Sequence, residues 1–215
     1  YLDMISLHKN NTATVKDIQK NNITIKYDRK NKNPKVAIAN LHMDEKYFYA
    51  SVKNKANLSK ERYKSVSHII NQAMRLDIDY LVLPELALPR KWALLFSQKL
   101  LTKKISLITG VEYLHEKEDN QGTVRNSIFS FLVSDDTQYN YHKFFRQDKI
   151  TPAHEERETL RKKSGLVLKA DENYKTKYIF NHGDFFFSSL ICNEFTNIEH
   201  RANLRGKVDA LMIVE

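Results

Sequence analysis

The sequence predicts a protein of the α/β class. Short apolar runs rich in β-type residues alternate with segments of helical apolar spacing in the first half of the chain, and several strand-type runs follow one another in the middle. The chain has 215 residues, of which 41% are hydrophobic and 28% are charged. This length and composition suit one substantial core of a soluble globular protein.

Composition also narrows the location of the protein. No apolar run approaches the roughly 20 residues needed to span a bilayer, so no membrane partner is expected. The single cysteine, Cys192, permits no internal disulfide, which suits the reducing cytoplasm. The first residues lack the basic and apolar regions of a secretory signal. Because the chain begins with Tyr1 rather than methionine, we expect it to be a piece of a longer protein.

The positive charge is concentrated at the beginning of the chain. The formal net charge is +9, and residues 1–35 contain eight Lys or Arg side chains against three acidic ones. Pro34 ends this Asn- and Lys-rich stretch, so we interpret residues 1–34 as a basic extension or linker with one short strand at Ile23–Tyr27. The alternative is that residues 1–35 bind nucleic acid phosphates by counterion release.

Three buried strands and two helices are predicted between residues 36 and 113. The strands are short apolar runs, and the apolar residues of the first helix share one face. Ser59 is suited to cap the first helix, Pro84 should end the second strand, and Pro89 is tolerated where the second helix begins. The predicted order is strand Val36–Leu41, helix Leu58–Leu76, strand Asp79–Pro84, helix Arg90–Thr102 and strand Ile105–Tyr113.

The second half of the chain is predicted to be richer in strands. A short helix at Glu155–Lys163 has its acidic residues first and its basic residues last, which matches the helix dipole. The run from Phe185 to Cys192 is apolar and aromatic, and a helix is predicted after it at Thr196–Arg205. The remaining strands are Asn126–Val133, Tyr139–Gln147, Leu166–Leu168, Lys177–Phe180 and Val208–Val214. Because the chain stops directly after the last strand, we expect the domain to continue beyond it.

Reactive side chains stand at the ends of several of these elements. Glu85 and Lys149 each come shortly after a predicted strand, Glu155 and Glu156 begin a helix, and Cys192 ends the aromatic strand. In α/β sheets, reacting groups collect beyond the carboxyl ends of the strands. The helix predicted after the cysteine should favour its thiolate over its thiol. A base and a nearby cation would complete a nucleophilic site around the sulfur.

Three stretches together resemble the nitrilase superfamily of carbon–nitrogen hydrolases. They are DYLVLPELALP around Glu85, RQDKITPAHEE around Lys149 and FFFSSLICNEF around Cys192, and a lesser match is the strand that begins at Asn126. The resemblance covers residues 35–215 and implies a nitrilase-like four-layer α-β-β-α sandwich whose C-terminal part is missing. It also implies a homo-oligomer and a reaction that needs neither a metal ion nor an organic cofactor.

The resemblance assigns a role to each of these residues. Cys192 would be the nucleophile that forms a thioester from a small amide or nitrile substrate. Glu85 would be the general base, and Lys149 would stabilise the oxyanion of the tetrahedral intermediate. A second glutamate shortly after the lysine would orient the others, and Glu156 is favoured over Glu155 for this role.

Two departures from the family pattern bear on the site. The segment after Lys149 is shorter than usual, which leaves Lys143 on the same strand as an alternative lysine. Asn193 and Glu194 replace the usual residues after the nucleophile, and we expect these two and Glu155 to bind substrate.

Two function classes follow from the resemblance. The first is an active amidase- or nitrilase-type hydrolase, whose substrate would be selected by loops such as Met43–Asn57. The second is a nitrilase-like module of a larger protein, for example an antiviral-defence reverse transcriptase, with a role in assembly or regulation.

Overall fold

Two β-sheets and five α-helices make up the described part of the chain. The structure is a computed structural model, and it describes residues 20–29, 33–42, 44–115, 122–135 and 138–215. The strands are β1 Lys20–Ile25, β2 Val36–Ile38, β3 Tyr80–Leu88, β4 Ser106–His115, β5 Thr123–Ser134, β6 Tyr141–Asp148, β7 Val167–Leu168, β8 Lys177–His182, β9 Phe186–Ile191 and β10 Ala210–Val214. The helices are α1 Glu45–Val52, α2 Lys60–Arg75, α3 Arg90–Leu101, α4 His154–Ser164 and α5 Ile198–Leu204, with 3-10 turns at Glu172–Tyr174 and Cys192–Thr196. None of these helices is long and apolar enough to cross a membrane.

The strand directions bring several chain ends to one edge of the larger sheet. This sheet has the order β2-β3-β4-β5-β6, and β7 pairs with the start of β5. The strands β3 and β4 are parallel, β5 is antiparallel to both of its neighbours, and β6 therefore runs in the direction of β3. The carboxyl ends of β3 and β6 and the start of β5 consequently lie at the same edge. The smaller sheet has the order β1-β8-β9-β10.

Two large apolar clusters form the core, one between the two sheets and one between the larger sheet and its helices. Alternate residues of a strand face opposite sides of its sheet. Tyr80 and Val82 of β3 pack in the cluster between the sheets, whereas Leu81 and Leu83 pack under α2 and α3. A smaller cluster joins Leu204 of α5 to the outer face of the smaller sheet. Helices therefore lie outside both sheets, which agrees with the predicted α/β class.

The first described strand belongs to this core, which corrects the boundary predicted at Pro34. The strand β1 pairs in parallel with β8 along its whole length, and Ile25 and Tyr27 are only 1% and 7% exposed. Residues 20–27 are therefore part of the folded unit rather than a linker. Residues 1–19 and 30–32, which carry most of the remaining predicted extension and of the nucleic-acid hypothesis, lie outside the described residues.

Most of the other predicted elements are confirmed to within a few residues at their ends. Ser59 caps α2, where its hydroxyl accepts the backbone N–H of Arg62 at 3.4 Å. The helix α1 was not predicted and lies within the stretch assigned to a loop. Its sequence, EKYFYASV, is rich in aromatic residues that favour strands. Asp44 caps the helix, and its side chain accepts the N–H of Lys46 at 3.1 Å.

His182 connects the two sheets at the edge opposite to the reactive residues. Its Nδ1 lies 2.6 Å from the hydroxyl of Tyr80, and its Nε2 lies 2.6 Å from the carbonyl oxygen of Val133. A neutral ring with its proton on Nε2 donates to Val133 and accepts from Tyr80. Tyr27 stacks on the ring with the centroids 4.6 Å apart. Burial accordingly lowers the pKa of His182 to about 4.

Mild acid is expected to destabilise this fold. Burial lowers the pKa of both His142 and His182 from 6.5 to about 4. The unfolded chain takes up protons at the ordinary histidine pKa, whereas the folded chain does not, so stability is complete above that value and falls as the pH drops toward the folded pKa. The free energy of unfolding, measured with urea, should be lower at about pH 5 than at about pH 7 by roughly 2 kcal/mol per histidine.

The matched variant for this prediction is His142→Gln. His142 Nε2 lies 3.2 Å from the carbonyl oxygen of Ile105, and a glutamine amide can still donate to that oxygen. The variant should lose the share of the pH dependence that one histidine contributes. An unfolding free energy that is the same at both pH values in the wild type would contradict the prediction.

Candidate active site

Glu85 lies in a wide bulge of β3, and not after its end as the sequence predicted. The strand pairs Leu83 with Thr109 and then Leu88 with Val111, so residues 84–87 stand opposite the single residue Gly110. Pro84 interrupts the ladder because it has no N–H, but the strand resumes after it. The left-handed backbone of Leu86, with φ 55°, completes the bulge.

Two residues from other elements hold this bulge. A Cβ atom on Gly110 would lie 2.6 Å from both the Cα of Glu85 and the carbonyl oxygen of Pro84, so only glycine allows this approach. The buried guanidinium of Arg62 donates to the carbonyl oxygen of Ala87 at 3.0 Å. Arg62 is itself held by an ion pair with the buried Glu112. The position of Glu85 therefore depends on contacts from α2 and β4.

Lys149 lies between two carboxylates at the end of β6. Its Nζ donates to Glu85 Oε1 at 2.8 Å and to Glu156 Oε2 at 2.6 Å, and the residue is only 1% exposed. Its backbone N–H donates to the carbonyl oxygen of Asn126 at 2.8 Å, which fixes the chain where it leaves the strand. The ammonium is thus enclosed and cannot swing into solvent without breaking two ion pairs.

The structure distinguishes the residues that the sequence left as alternatives. Glu156 lies in the first turn of α4 and contacts Lys149, whereas Glu155 is exposed on the same turn. Lys143 lies six positions earlier on β6, and its Nζ lies 6.0 Å from the ring centre of Tyr141. The cluster is therefore built from Glu156 and Lys149.

Two further residues of the cluster were not assigned a role from the sequence. The amide Nδ2 of Asn126 donates to Glu85 Oε1 at 2.6 Å and to Glu156 Oε1 at 2.9 Å. The hydroxyl of Tyr113 donates to Glu156 Oε1 at 2.9 Å. The lesser family match at Asn126 was the only sequence signal for either residue. Both orient the carboxylates from β5 and β4.

Cys192 directly follows β9 and opens a 3-10 turn rather than an α-helix. The helix α5 begins only at Ile198, six residues later. Burial raises the pKa of the Cys192 thiol, and the charge of Glu85 raises it further, while Lys149 and the backbone N–H of Asn193 lower it by less. The pKa of the thiol is therefore raised, which is the opposite direction to the one expected from a following helix.

The pKa values of Glu85 and Lys149 are both raised, which suits Glu85 to act as a base and Lys149 to remain a cation. Burial raises the pKa of Glu85, and Glu156 adds to this rise, while Lys149 opposes it. Burial alone would lower the pKa of Lys149, but the two carboxylates more than offset this and raise it. The ammonium form of Lys149 is therefore favoured, and Glu85 is more basic than an ordinary glutamate.

The two residues after the cysteine occupy different environments. Asn193 is half-buried, and its side-chain oxygen accepts the hydroxyl of Thr196 at 3.1 Å. Glu194 is completely buried and forms an ion pair with Lys177 at 2.6 Å. This place beneath the turn differs from the substrate-facing position expected of Glu194. The exposed Glu155, likewise expected to bind substrate, stands on the outer side of α4.

A cavity of about 320 Å³ lies by the end of α1, the segment before α2 and the end of β4, where Ser51, Leu58 and Tyr113 contribute to its lining. Its lining includes none of Glu85, Lys149, Glu156 and Cys192. Tyr113, whose hydroxyl donates to Glu156, belongs to both the lining and the cluster. Within the described ranges, no group of three or more His, Cys, Asp or Glu side chains is placed to hold a metal ion.

Comparisons with known proteins give only distant structural similarity. No model of a protein family matches the chain, and no curated protein matches it. Among solved structures, the glutamine-dependent NAD+ synthetase of Acinetobacter baumannii in complex with adenosine diphosphate is similar at a TM-score of 0.42 and 18% identity. The match covers 72% of this chain and 29% of the synthetase, so the chain spans less than a third of that enzyme. This similarity assigns neither a family nor an activity.

Proposed function

We propose that the chain is a carbon–nitrogen hydrolase of the amidase or nitrilase type, built on a nitrilase-like four-layer sandwich. The observation that supports this most is the placement of Lys149 between Glu85 and Glu156, with the Cys192 thiol within the electrostatic influence of Lys149 and Glu85. A nucleophile, a base and a fixed cation are the groups that acyl transfer through a thioester requires.

Glu85 is the proposed general base. Its hydrogen bonds from Lys149 and Asn126 both reach Oε1, so Oε2 is the oxygen that can take up the thiol proton. Lys149 cannot act as a base because its pKa is raised. Glu156 accepts hydrogen bonds from Lys149, Asn126 and Tyr113. These bonds suit it to orient the side chains of the site.

The reaction on an amide then proceeds in two stages. Glu85 takes the proton of the thiol as Sγ attacks the carbonyl carbon, and the Lys149 ammonium stabilises the resulting oxyanion by on the order of 3 kcal/mol. When the intermediate collapses, Glu85 returns the proton to the nitrogen, and ammonia or an amine leaves behind a Cys192 thioester. Glu85 next takes a proton from water, whose oxygen attacks the thioester. When this second intermediate collapses, Glu85 returns its proton to Sγ, so that the carboxylic acid leaves and the thiol is restored.

A panel of primary amides, substituted amides and nitriles tests this proposal. Release of ammonia or amine and of the matching carboxylate is measured for the wild type and for Cys192→Ala. On any substrate found, the variant should lose activity by a factor on the order of 10⁴ or more, because the covalent step is removed. Its urea unfolding curve should stay close to that of the wild type, since the thiol is only half-buried. Equal activity in the two proteins would refute the proposed role of Cys192.

A further inference from the structure

A buried ion pair lies beneath the candidate site. Lys177 begins β8, Glu194 lies in the turn that Cys192 opens, and the two are 3% and 0% exposed. The Nζ of Lys177 donates to both carboxylate oxygens, at 2.8 and 2.6 Å. A buried pair of this kind adds little net stability, because the cost of removing both charges from water offsets much of their attraction. Its other contacts indicate what it does.

The carboxylate of Glu194 also connects the two strand ends that carry reactive groups. Its Oε1 accepts the backbone N–H of Ile150, the residue after Lys149, at 2.7 Å. Its Oε2 accepts the backbone N–H of Ile191, the residue before Cys192, at 3.2 Å. One side chain therefore links the larger sheet to the smaller one where the lysine and the thiol leave their strands.

The backbone at Cys192 needs such support. Its φ is 42°, in the left-handed region that is uncommon for residues other than glycine. A residue is held there only when its surroundings fix it firmly. The bond from Ile191 to Glu194 fixes the preceding peptide, and Lys177 fixes the carboxylate that accepts this bond.

We propose that Glu194, held by Lys177, is a positioning residue that aligns the thiol of Cys192 with Lys149 and Glu85. It acts through the backbone on either side of the site and does not touch substrate. A carboxylate suits this role because it can accept two backbone N–H groups and an ammonium at once. The significance of the alignment for hydrolysis rests on the function proposed above, but the alignment itself can be measured without a substrate.

Two variants separate positioning from charge balance. Glu194→Asp keeps a negative charge opposite Lys177, but its shorter side chain cannot reach both backbone N–H groups. The double variant Lys177→Met with Glu194→Gln removes both charges, preserves the volume and leaves one accepting oxygen. The net charge near Cys192 is the same in the wild type and in both variants, so a change in thiol reactivity reports a change in geometry.

The measurement is the rate of Cys192 alkylation by iodoacetamide as a function of pH, followed by intact mass. If the half-buried thiol moves away from the influence of Glu85, the pH midpoint of the alkylation rate should shift toward that of an ordinary cysteine in both variants. We expect a shift of at least about half a pH unit, or roughly a threefold change in thiolate fraction. On any substrate found, kcat should fall while KM changes little.

The control for general loss of stability is Tyr80→Phe. It removes a hydroxyl at the start of β3, away from the carboxyl end that carries Glu85, and should leave the midpoint unchanged. Wild-type midpoints in both positioning variants would overturn the proposal, because the pair would then only balance charge. Loss of the fold in both would also overturn it, because the pair would then support the whole sheet. If instead the proposed function fails, the midpoint shift remains while no amide or nitrile is hydrolysed.

Discussion

Replacement of Lys149 by methionine is expected to abolish hydrolysis and to destabilise the fold. The ammonium is buried between the carboxylates of Glu85 and Glu156, and methionine keeps its length without its charge. Removal of one partner from a buried ionic group costs about 3–5 kcal/mol, because the remaining charge is left unpaired. The loss of unfolding free energy should be larger at about pH 8 than at about pH 5, since protonation of one carboxylate relieves the repulsion.

The matched control for this variant is Lys162→Met. Lys162 pairs with Glu158 on the surface of α4, where ion pairs contribute little to stability. We expect no measurable change in its unfolding curve or in the reactivity of Cys192. Addition of Glu85→Gln to Lys149→Met should recover part of the lost stability. A Lys149→Met protein as stable as the wild type at both pH values would contradict the charge arrangement of the site.

The second large effect is expected from Gly110→Ala. Its methyl group would lie 2.6 Å from backbone atoms of Glu85 and Pro84, so the strands must separate locally. Overpacking of this kind costs about 1–3 kcal/mol, and backbone atoms cannot yield as a side chain can. A displacement of the base by about 1 Å costs on the order of 10²-fold in rate. As Glu85 moves away from the thiol, the pH midpoint of Cys192 alkylation should fall.

Gly183→Ala provides a clash of the same kind away from the site. Gly183 has φ +57°, and a Cβ there would lie 2.1 Å from the carbonyl oxygen of Tyr27. This variant should be destabilised at least as strongly as Gly110→Ala, yet its Cys192 midpoint should match that of the wild type. If Gly110→Ala keeps both the wild-type rate and the wild-type midpoint, the close approach at Gly110 does not position Glu85.

The strands of the fold could largely be predicted from the sequence because a strand buried on both faces has a nearly continuous apolar run. The run YLVL of β3 and the run around Phe187 in β9 are of this type. The continuation of β3 past Pro84 could not be predicted, since it depends on the absence of a side chain at Gly110 in the neighbouring strand. The strand β1 was assigned to a linker because it lies in an Asn- and Lys-rich stretch, and among residues 21–25 only Ile25 is fully buried.

The candidate site was predictable where a residue type capable of catalysis follows an apolar run of the sequence. Glu85, Lys149 and Cys192 were selected in this way. Asn126 and Tyr113 lie inside strands, where their residue types do not reveal that they contact Glu156.

Contacts between distant elements set the remaining properties of the site. Lys177 and Glu194 are of residue types that usually face solvent, and only their pairing across the fold explains their burial. The direction in which the thiol pKa shifts also depends on tertiary burial and on Glu85. The helix predicted after Cys192 gave no information about either.

The pH dependence of Cys192 alkylation tests most directly whether Glu85, Lys149 and Cys192 form one coupled site. Cys192 is the only cysteine in the chain, so the modified thiol is unambiguous. Burial and the charge of Glu85 raise its pKa, and Lys149 opposes them. The wild-type midpoint should therefore lie above that of free cysteine, fall in Glu85→Gln and rise in Lys149→Met. A wild-type midpoint at or below that of free cysteine, unchanged by Glu85→Gln, would contradict the account.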